Sequence, residues 1–205
     1  RPPLDPVELP AETDVIVIGS GYTGLSAALT LARAGKQVAV VDAGDLGGGA
    51  SSRNTGSMGR TFRHPFSALA KSHGVERATE VYREVGAAFD YASAMIEGEK
   101  IACHFARRGR FTGFISPKQY DASAREVETR QKHVPGVDVL LSRAEQHREI
   151  GFGLYHGGIL VPDVASIHPG LYHLGLLALV RKAGATVHAH SLVSDVSREK
   201  AGWAV

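Results

Sequence analysis

Gly19-Ser20-Gly21-Tyr22-Thr23-Gly24 spaces three glycines as G-x-G-x-x-G, and Asp42 closes the second apolar run that follows. Residues of these types in this order suit the binding of a dinucleotide. Gly19 permits a tight turn, Gly21 lets the backbone approach a pyrophosphate with no Cβ in the way, and Gly24 lets a helix pack closely on a strand. A helix opening at Tyr22 offers its unpaired N–H groups and partial positive charge to the phosphates. Asp42 is suited to accept hydrogen bonds from both ribose hydroxyls of an adenosine, and its negative charge argues against a 2′-phosphate there.

The surrounding elements have to place these residues. Asp14-Val-Ile-Val-Ile18 is a β-branched apolar run that reads as a strand buried on both faces. The spacing predicts a helix over 22–34 with Leu25, Ala28, Leu29 and Ala32 on one face, ended by Gly35. Gln37-Val-Ala-Val-Val41 is a second buried strand that delivers Asp42 at its C-terminal end. A lone glycine motif is a weak signal; strand, glycines, helix, strand and acid in sequence are a strong one. FAD, NAD and another adenosine ligand all remain open at this point.

After Asp42 the chain does not enter another crossover helix. It runs through Leu46-Gly-Gly-Gly-Ala-Ser-Ser-Arg-Asn-Thr-Gly-Ser-Met-Gly59, a composition that usually marks a flexible linker. Arg53 and Asn54 interrupt it with side chains suited to phosphate and carbonyl recognition, and Gly56 and Gly59 allow the backbone to lie against a flat ring. Gly19–Ala28 together with Gly49-Ala-Ser-Ser-Arg-Asn-Thr-Gly56 resembles the FAD-dependent D-amino-acid oxidase superfamily, nearest its gamma-glutamylputrescine oxidoreductase-like branch. That branch carries G-A-S-G-R-N-G-G, so Ser52 and Thr55 stand here where it has glycines.

The resemblance implies an α/β fold: a Rossmann-like FAD/NAD(P)-binding domain with an interleaved, incomplete α+β substrate domain. It implies noncovalent FAD held by Gly19, Gly21, Tyr22, Thr23, Gly24, Asp42 and Ala43, with Ala50, Ser51, Arg53, Asn54, Thr55 and Gly56 wrapping the pyrophosphate near the flavin. Val193 is implied to touch the adenine through its backbone. The implied activity is oxidation of an amine or amino acid by hydride transfer to flavin N5, the cofactor supplying the redox chemistry. Arg53 and Arg60 are the candidates for tuning the flavin, and no residue stands out as a catalytic acid or base. An NAD-dependent dehydrogenase is the competing redox reading, opposed by the 49–56 segment.

The rest of the chain reads as support. Apolar spacing predicts a helix over 75–96, with Val75, Ala78, Val81, Tyr82, Val85, Ala88, Phe89, Ala92, Met95 and Ile96 inward. Residues 101–116 read as two short strands joined in an exposed basic hairpin around Arg107–Arg110. A charged surface helix over 118–133 is expected next, then a capping box at Ser142–Glu145 opening a short helix, and a strand over 154–161 with close backbone approach at Gly157-Gly158. His168-Pro169 begins a helix through about Ala183, and 186–188 and 192–196 read as strands. The Ile167–Tyr172 stretch also resembles the family's return to its FAD domain. The expected division is a lead-in at 1–13, FAD-binding parts at 14–65 and 161–205, and a substrate part at 66–160.

With a net charge of +2 over 205 residues, no electrostatic case exists for nucleic acid or an anionic membrane. No apolar run approaches the roughly 20 residues that span a bilayer. One cysteine, Cys103, excludes an internal disulfide, and cytoplasm is the expected compartment. His188 and His190 would share one side of a strand but lack a third ligand for a metal, and His64 reads as a loop histidine rather than a covalent flavin attachment. The chain starts without Met and ends on Trp203-Ala-Val205, so the expectation is the front half of a longer enzyme. The alternative function is an incomplete FAD-binding fragment or subunit that is inactive without its remaining half, marked by an exposed apolar sheet edge after Val205 and by activity only on complementation.

Overall fold

The computed structural model describes residues 8–60, 62–136 and 138–205. Along the chain β1 (Val15–Ile18), α1 (Tyr22–Arg33) and β2 (Val38–Val41) precede β3 (Ser57–Gly59), α2 (Phe66–His73) and α3 (Val75–Gly98). Then come β4 (Ala106–Arg107), β5 (Arg110–Gly113), α4 (Pro117–Gln131), β6 (Val139–Ser142), β7 (Gly157–Val161) and β8 (Val164–Ser166). The chain closes with α5 (Pro169–Lys182), β9 (Thr186–His188), β10 (Ser197–Glu199) and β11 (Gly202–Ala204). These form two compact units, one from residues 1–56, 101–103 and 168–205, the other from 57–100 and 104–167.

The first unit is a parallel sheet in the order β1-β2-β9. Helices α1 and α5 pack on one another, α1 lying against β1 and β2 and α5 against β9. The inward face of α1 is Leu25, Ala28, Leu29 and Ala32, the stripe expected from its 3-and-4 spacing. Full burial of each leucine contributes about 1.5–3 kcal/mol. Leu176, Leu177 and Val180 of α5 and Val187 of β9 complete this core. Gly35 (φ +81°) and Gly184 (φ +93°) follow the two helices in the left-handed conformation that stops them.

The first unit departs from the sequence reading in three places. Strand β2 is buried throughout, but β1 is not: Ile16 and Ile18 are 39% and 58% exposed. Among the described residues β1 pairs with β2 alone, and Ile16 and Ile18 share its uncovered face. The strand expected over 192–196 is irregular, with Leu192 and Val196 exposed; apolar alternation makes a strand only where a neighbouring edge accepts its hydrogen bonds. The two histidines do not share a side. His188 is buried on β9, whereas His190 lies past its end at φ +54° and its ring reaches Asp45 at 3.2 Å.

The second unit holds two antiparallel sheets, β3-β8-β4 and β5-β7-β6. The basic hairpin is not formed. Strand β4 pairs with β8 and β5 with β7, so residues 106–113 run alongside 157–166. Arg108 and Gly109 both donate their amides to the Val164 carbonyl, which makes this a bulge rather than a reversal. Close approach at Gly157-Gly158 is present: a Cβ on Gly158 would lie 2.4 Å from the Phe111 ring.

Helix α3 buries Ala78, Tyr82, Gly86, Phe89, Ser93 and Ile96, with Val75 and Ala88 outside. The stripe is therefore turned slightly from the expected one. The charged helix α4 buries only Val127. Helix α2 was not legible in the pattern; its Phe66 packs with Ala78 and Tyr82, and the Tyr82 hydroxyl donates to the His64 carbonyl at 2.8 Å. At 142–145 the amide and hydroxyl of Ser142 both donate to Glu145, at 3.0 and 2.7 Å, and a single 3₁₀ turn (Gln146–Arg148) follows.

Candidate functional site

The glycine turn sits where the sequence places it, between β1 and α1. Gly19 takes φ +98°, and its amide donates to the Val41 carbonyl at 2.7 Å, tying the turn to the end of β2. The first intrahelical bond of α1 runs from the Leu25 amide to the Gly21 carbonyl at 2.9 Å. Helix geometry therefore leaves the amides of Tyr22, Thr23 and Gly24 without helical acceptors, and no acidic residue lies in this first turn. The Tyr22 amide donates to Ser51 Oγ at 3.1 Å; Ser51 keeps its own hydroxyl hydrogen for an acceptor above the helix end.

The three glycines differ in what constrains them. A Cβ on Gly24 would stand 2.0 Å from the Gly19 carbonyl oxygen, whereas one on Gly21 would meet only Ser51 Oγ at 3.1 Å. Gly24 is fixed by packing inside the motif. Gly21 leaves a gap over the helix N-terminus, open to a phosphate.

Asp42 is held on all sides but one. Its Oδ2 accepts from the Ser20 amide at 2.7 Å and the Ser20 hydroxyl at 2.6 Å, and Oδ1 accepts from the Gly44 amide at 3.0 Å. Partial burial acts to raise its pKa, but these hydrogen bonds and the nearby His173 outweigh it and hold the carboxyl below its usual range. With three of about four lone-pair sites engaged, one site on Oδ1 remains. Ala43 follows, exposed.

The segment after β2 is a self-bonded loop rather than a linker. Ala50–Ser52 forms a 3₁₀ turn. The Ser52 hydroxyl donates to the Gly47 carbonyl. Arg53 is exposed, and its guanidinium donates to the carbonyls of Gly48 and Gly49. Asn54 donates to the Ala50 and Ser51 carbonyls at 3.2 and 3.1 Å and accepts from the Gly56 amide at 2.8 Å. Gly56 is buried at φ +69°, while Thr55 is exposed. The loop thus brings Ser51 to the N-terminus of α1, while Arg53 and Asn54 bond within the loop.

Returning chain completes the unit. The Tyr22 hydroxyl donates to the Pro169 carbonyl at 2.9 Å, and its ring packs edge-on against Tyr172. Burial pushes the Tyr22 phenol above its ordinary pKa, against a lowering contact with Asn54. His168 caps α5, its Nδ1 accepting from the Leu171 amide at 3.3 Å. The Ser191 amide donates to the Asp42 carbonyl and the His190 amide to Gly44, so the backbone leading to Val193 passes beside Asp42. Ser20 and His173 were absent from the sequence reading. Ser20 occupies a variable position of the motif, and nothing local marks His173, whose Nε2 lies 2.7 Å from the Ser20 carbonyl.

Helix α1, its glycine turn and the 47–56 loop thus provide what a dinucleotide's pyrophosphate needs: open amides, a Cβ-free gap and a hydroxyl. The model of the family described as DAO, FAD dependent oxidoreductase, matches residues 14–205. The chain belongs to this family. FAD is the family's cofactor, and the gap at Gly21 and the open amides of α1 fit its pyrophosphate. Among curated relatives, gamma-glutamylputrescine oxidoreductase of Escherichia coli is 29% identical over 194 residues, covering 95% of this chain and 45% of the relative. A probable oxidoreductase, OrdL, of Rhizobium meliloti is 31% identical over 195 residues with the same coverage. The chain spans about half the length of these relatives.

Solved structures confirm the fold. Glycine oxidase from Geobacillus kaustophilus superposes with a TM-score of 0.72 at 19% identity, over 93% of this chain and 50% of that one. L-amino acid deaminase from Proteus myxofaciens gives 0.73 at 19% identity, over 96% and 43%. The mixed α/β architecture expected from the glycine motif and the 49–56 segment is the architecture of these proteins.

The remaining candidates are accounted for within the second unit. Arg60, considered for flavin tuning, is paired with Asp90 and with Asp163. A cavity of about 410 Å³ lies beside it, lined also by Arg83, Arg130 and Asp138, but it contains none of the residues expected to bind the nucleotide. No cluster of metal ligands occurs among the described residues. No helix among them is long and apolar enough to cross a membrane.

Proposed function

We propose that the first unit binds FAD noncovalently and that the whole protein is an amine or amino-acid oxidoreductase. The observation that carries the cofactor site is the N-terminus of α1, with unpaired amides, no acid in its first turn and a Cβ-free gap at Gly21. In this reading Gly19, Gly21, Tyr22, Thr23 and Gly24 with Ala50 and Ser51 receive the pyrophosphate. Asp42 and Ala43 receive the ribose, and Val193 the adenine. Arg53, Asn54, Thr55 and Gly56 hold the loop to its shape. Residues 14–65 and 161–205 serve the cofactor and 66–160 belong to the substrate domain.

When bound, the flavin supplies the redox chemistry by accepting a hydride from the carbon beside the amine. The protein's part is to hold the cofactor's phosphates by amide dipoles and to keep Asp42 ionised for its ribose. The names of the relatives, a gamma-glutamylputrescine oxidoreductase, a glycine oxidase and an L-amino acid deaminase, support a small amine or amino acid as substrate. The single cysteine suits a reducing compartment such as cytoplasm.

The test is an absorbance spectrum of the purified chain, taken before and after denaturation and with FAD added during refolding. Flavin bands near ~450 nm that are released on denaturation establish a noncovalent site. A chain that ignores added FAD both alone and when complemented with the remaining length of a relative overturns the assignment of the first unit. A variant of this reading, which fits the 45% of the Escherichia coli relative that the chain covers, is that the cofactor site needs further chain to be complete. Uptake of FAD only on complementation with the remaining length of a relative would show it.

A further inference from the structure

A buried histidine reaches the glycine turn from α5. His173 is 1% exposed, and its Nε2 lies 2.7 Å from the Ser20 carbonyl oxygen. A carbonyl only accepts, so Nε2 carries the hydrogen and donates. Ser20 is fully buried and sends its own amide and hydroxyl to Asp42 Oδ2. Ser20 Oγ also accepts from the Gly47 amide at 3.3 Å. Gly47 lies flat against the imidazole: at φ +68°, a Cβ there would stand 2.5 Å from the ring. Residue 173 thus touches both the glycine turn and the start of the 47–56 loop.

The Ser20 carbonyl shares its peptide plane with the Gly21 amide. In a trans peptide these two groups point in opposite directions, and no peptide in the described residues is cis. With the carbonyl drawn toward α5, the Gly21 N–H must face away from it. Turned over, the same peptide would present its oxygen to the phosphates, repelling them. A peptide before glycine is the kind most free to turn, because glycine accepts either sign of φ.

We propose that His173 is a positioning residue that locks the Ser20–Gly21 peptide in its anion-receiving orientation, and thereby sets affinity for the cofactor's pyrophosphate. This rests on the FAD site proposed above. A histidine that merely filled space would need no donor; a phenyl ring occupies similar volume against Gly47. The lock needs the N–H at Nε2.

The experiment compares wild type with His173→Phe, which keeps the ring and loses the donor, and His173→Gln, which returns an amide N–H at about the same reach. FAD and ADP affinities are measured by fluorescence and calorimetry, and hydrogen exchange of the 19–24 peptide is measured without nucleotide. One hydrogen bond of this kind corresponds to about a three- to tenfold loss for His173→Phe. That loss should be equal for FAD and ADP, with faster exchange over 19–24, and both effects should be reversed in His173→Gln. A His173→Phe chain that binds both ligands like wild type overturns the inference. So does parallel loss in both variants together with melting temperature, which would mean packing alone. Failure of wild type to bind FAD is seen before any variant is compared. It counts against the cofactor site, while the exchange data still decide whether residue 173 holds the turn.

Discussion

Alanine at Gly24 and alanine at Gly21 should have opposite consequences, although the two glycines belong to one motif. At Gly24 the added Cβ would lie 2.0 Å from the Gly19 carbonyl oxygen and 3.2 Å from Val17 Cγ1. Helix and turn must separate by roughly 1.4 Å to restore ordinary contact at 3.4 Å, and the obstacle is backbone, which cannot rotate aside. Overpacking of this kind costs about 1–3 kcal/mol, here at the upper end. Alanine recovers about 1 kcal/mol of helix propensity. The net loss is about 2 kcal/mol, or a melting temperature lower by about 4–8 °C in a chain of this size.

At Gly21 the Cβ meets only Ser51 Oγ at 3.1 Å, a hydroxyl that can shift by a few tenths of an ångström. The backbone there, φ −70° and ψ 176°, suits alanine. Stability should stay within about 0.5 kcal/mol. The methyl nevertheless fills the gap over the helix N-terminus. Disturbing one or two charge-assisted bonds to phosphate costs about 1.5–3 kcal/mol, a loss of about tenfold or more in FAD affinity. Thermal melts without nucleotide and flavin-fluorescence titrations measure the two quantities separately. If Gly24→Ala melts with Gly21→Ala, or Gly21→Ala binds FAD like wild type, the division of labour between the glycines is wrong.

Asp42 should make stability depend on acid. Its folded pKa lies below the ordinary value, so its contribution is full above about pH 4 and is lost as pH falls through the folded value. Urea melts of wild type and Asp42→Asn should therefore differ most near neutrality and converge once pH has fallen below the folded value. In the second unit Arg130 and Asp138 form an ion pair with side chains only 15% and 11% exposed. Arg130→Ala should cost about 3 kcal/mol, because it strands a buried carboxylate. Arg77→Ala, whose pair with Glu80 is solvated, should cost less than about 0.5 kcal/mol. Denaturant titrations of both variants give the comparison.

What was legible in the sequence was what neighbouring residues decide. Gly35 and Gly184 end helices by their own backbone freedom, Leu25 and Leu29 share a face because helical geometry puts them there, and Asp42 ends a strand because the apolar run stops. Pairing is not decided locally. Arg107 and Arg110 look like two sides of a hairpin, yet each strand finds its partner in β7 and β8, some fifty residues on. Ile16 and Ile18 look as buried as Val40, yet they share one uncovered face of β1 while β2 is covered on both; what packs on a face is decided by distant chain. His173 and Ser20 meet across the whole length of the fold, and no spacing rule reaches that far.

The loop after β2 shows a second use for side chains that residue type assigns to a ligand. Arginine and asparagine in a glycine-rich segment suggest direct contact with phosphate. Here the Arg53 guanidinium binds two carbonyls of its own loop, and Asn54 closes the 3₁₀ turn on both sides. A free loop of this composition would have to be ordered by its ligand, at a cost of about 1–2 kcal/mol for each residue fixed. A loop already closed by side chains avoids most of that penalty when a cofactor arrives. Ser51 is the exception, since it takes one amide hydrogen from α1 and keeps its own to give. In the proposed FAD site, Arg53 would act on the nucleotide through the shape of residues 47–56, and Ser51, the least conspicuous polar residue of the segment, would be the one to touch it.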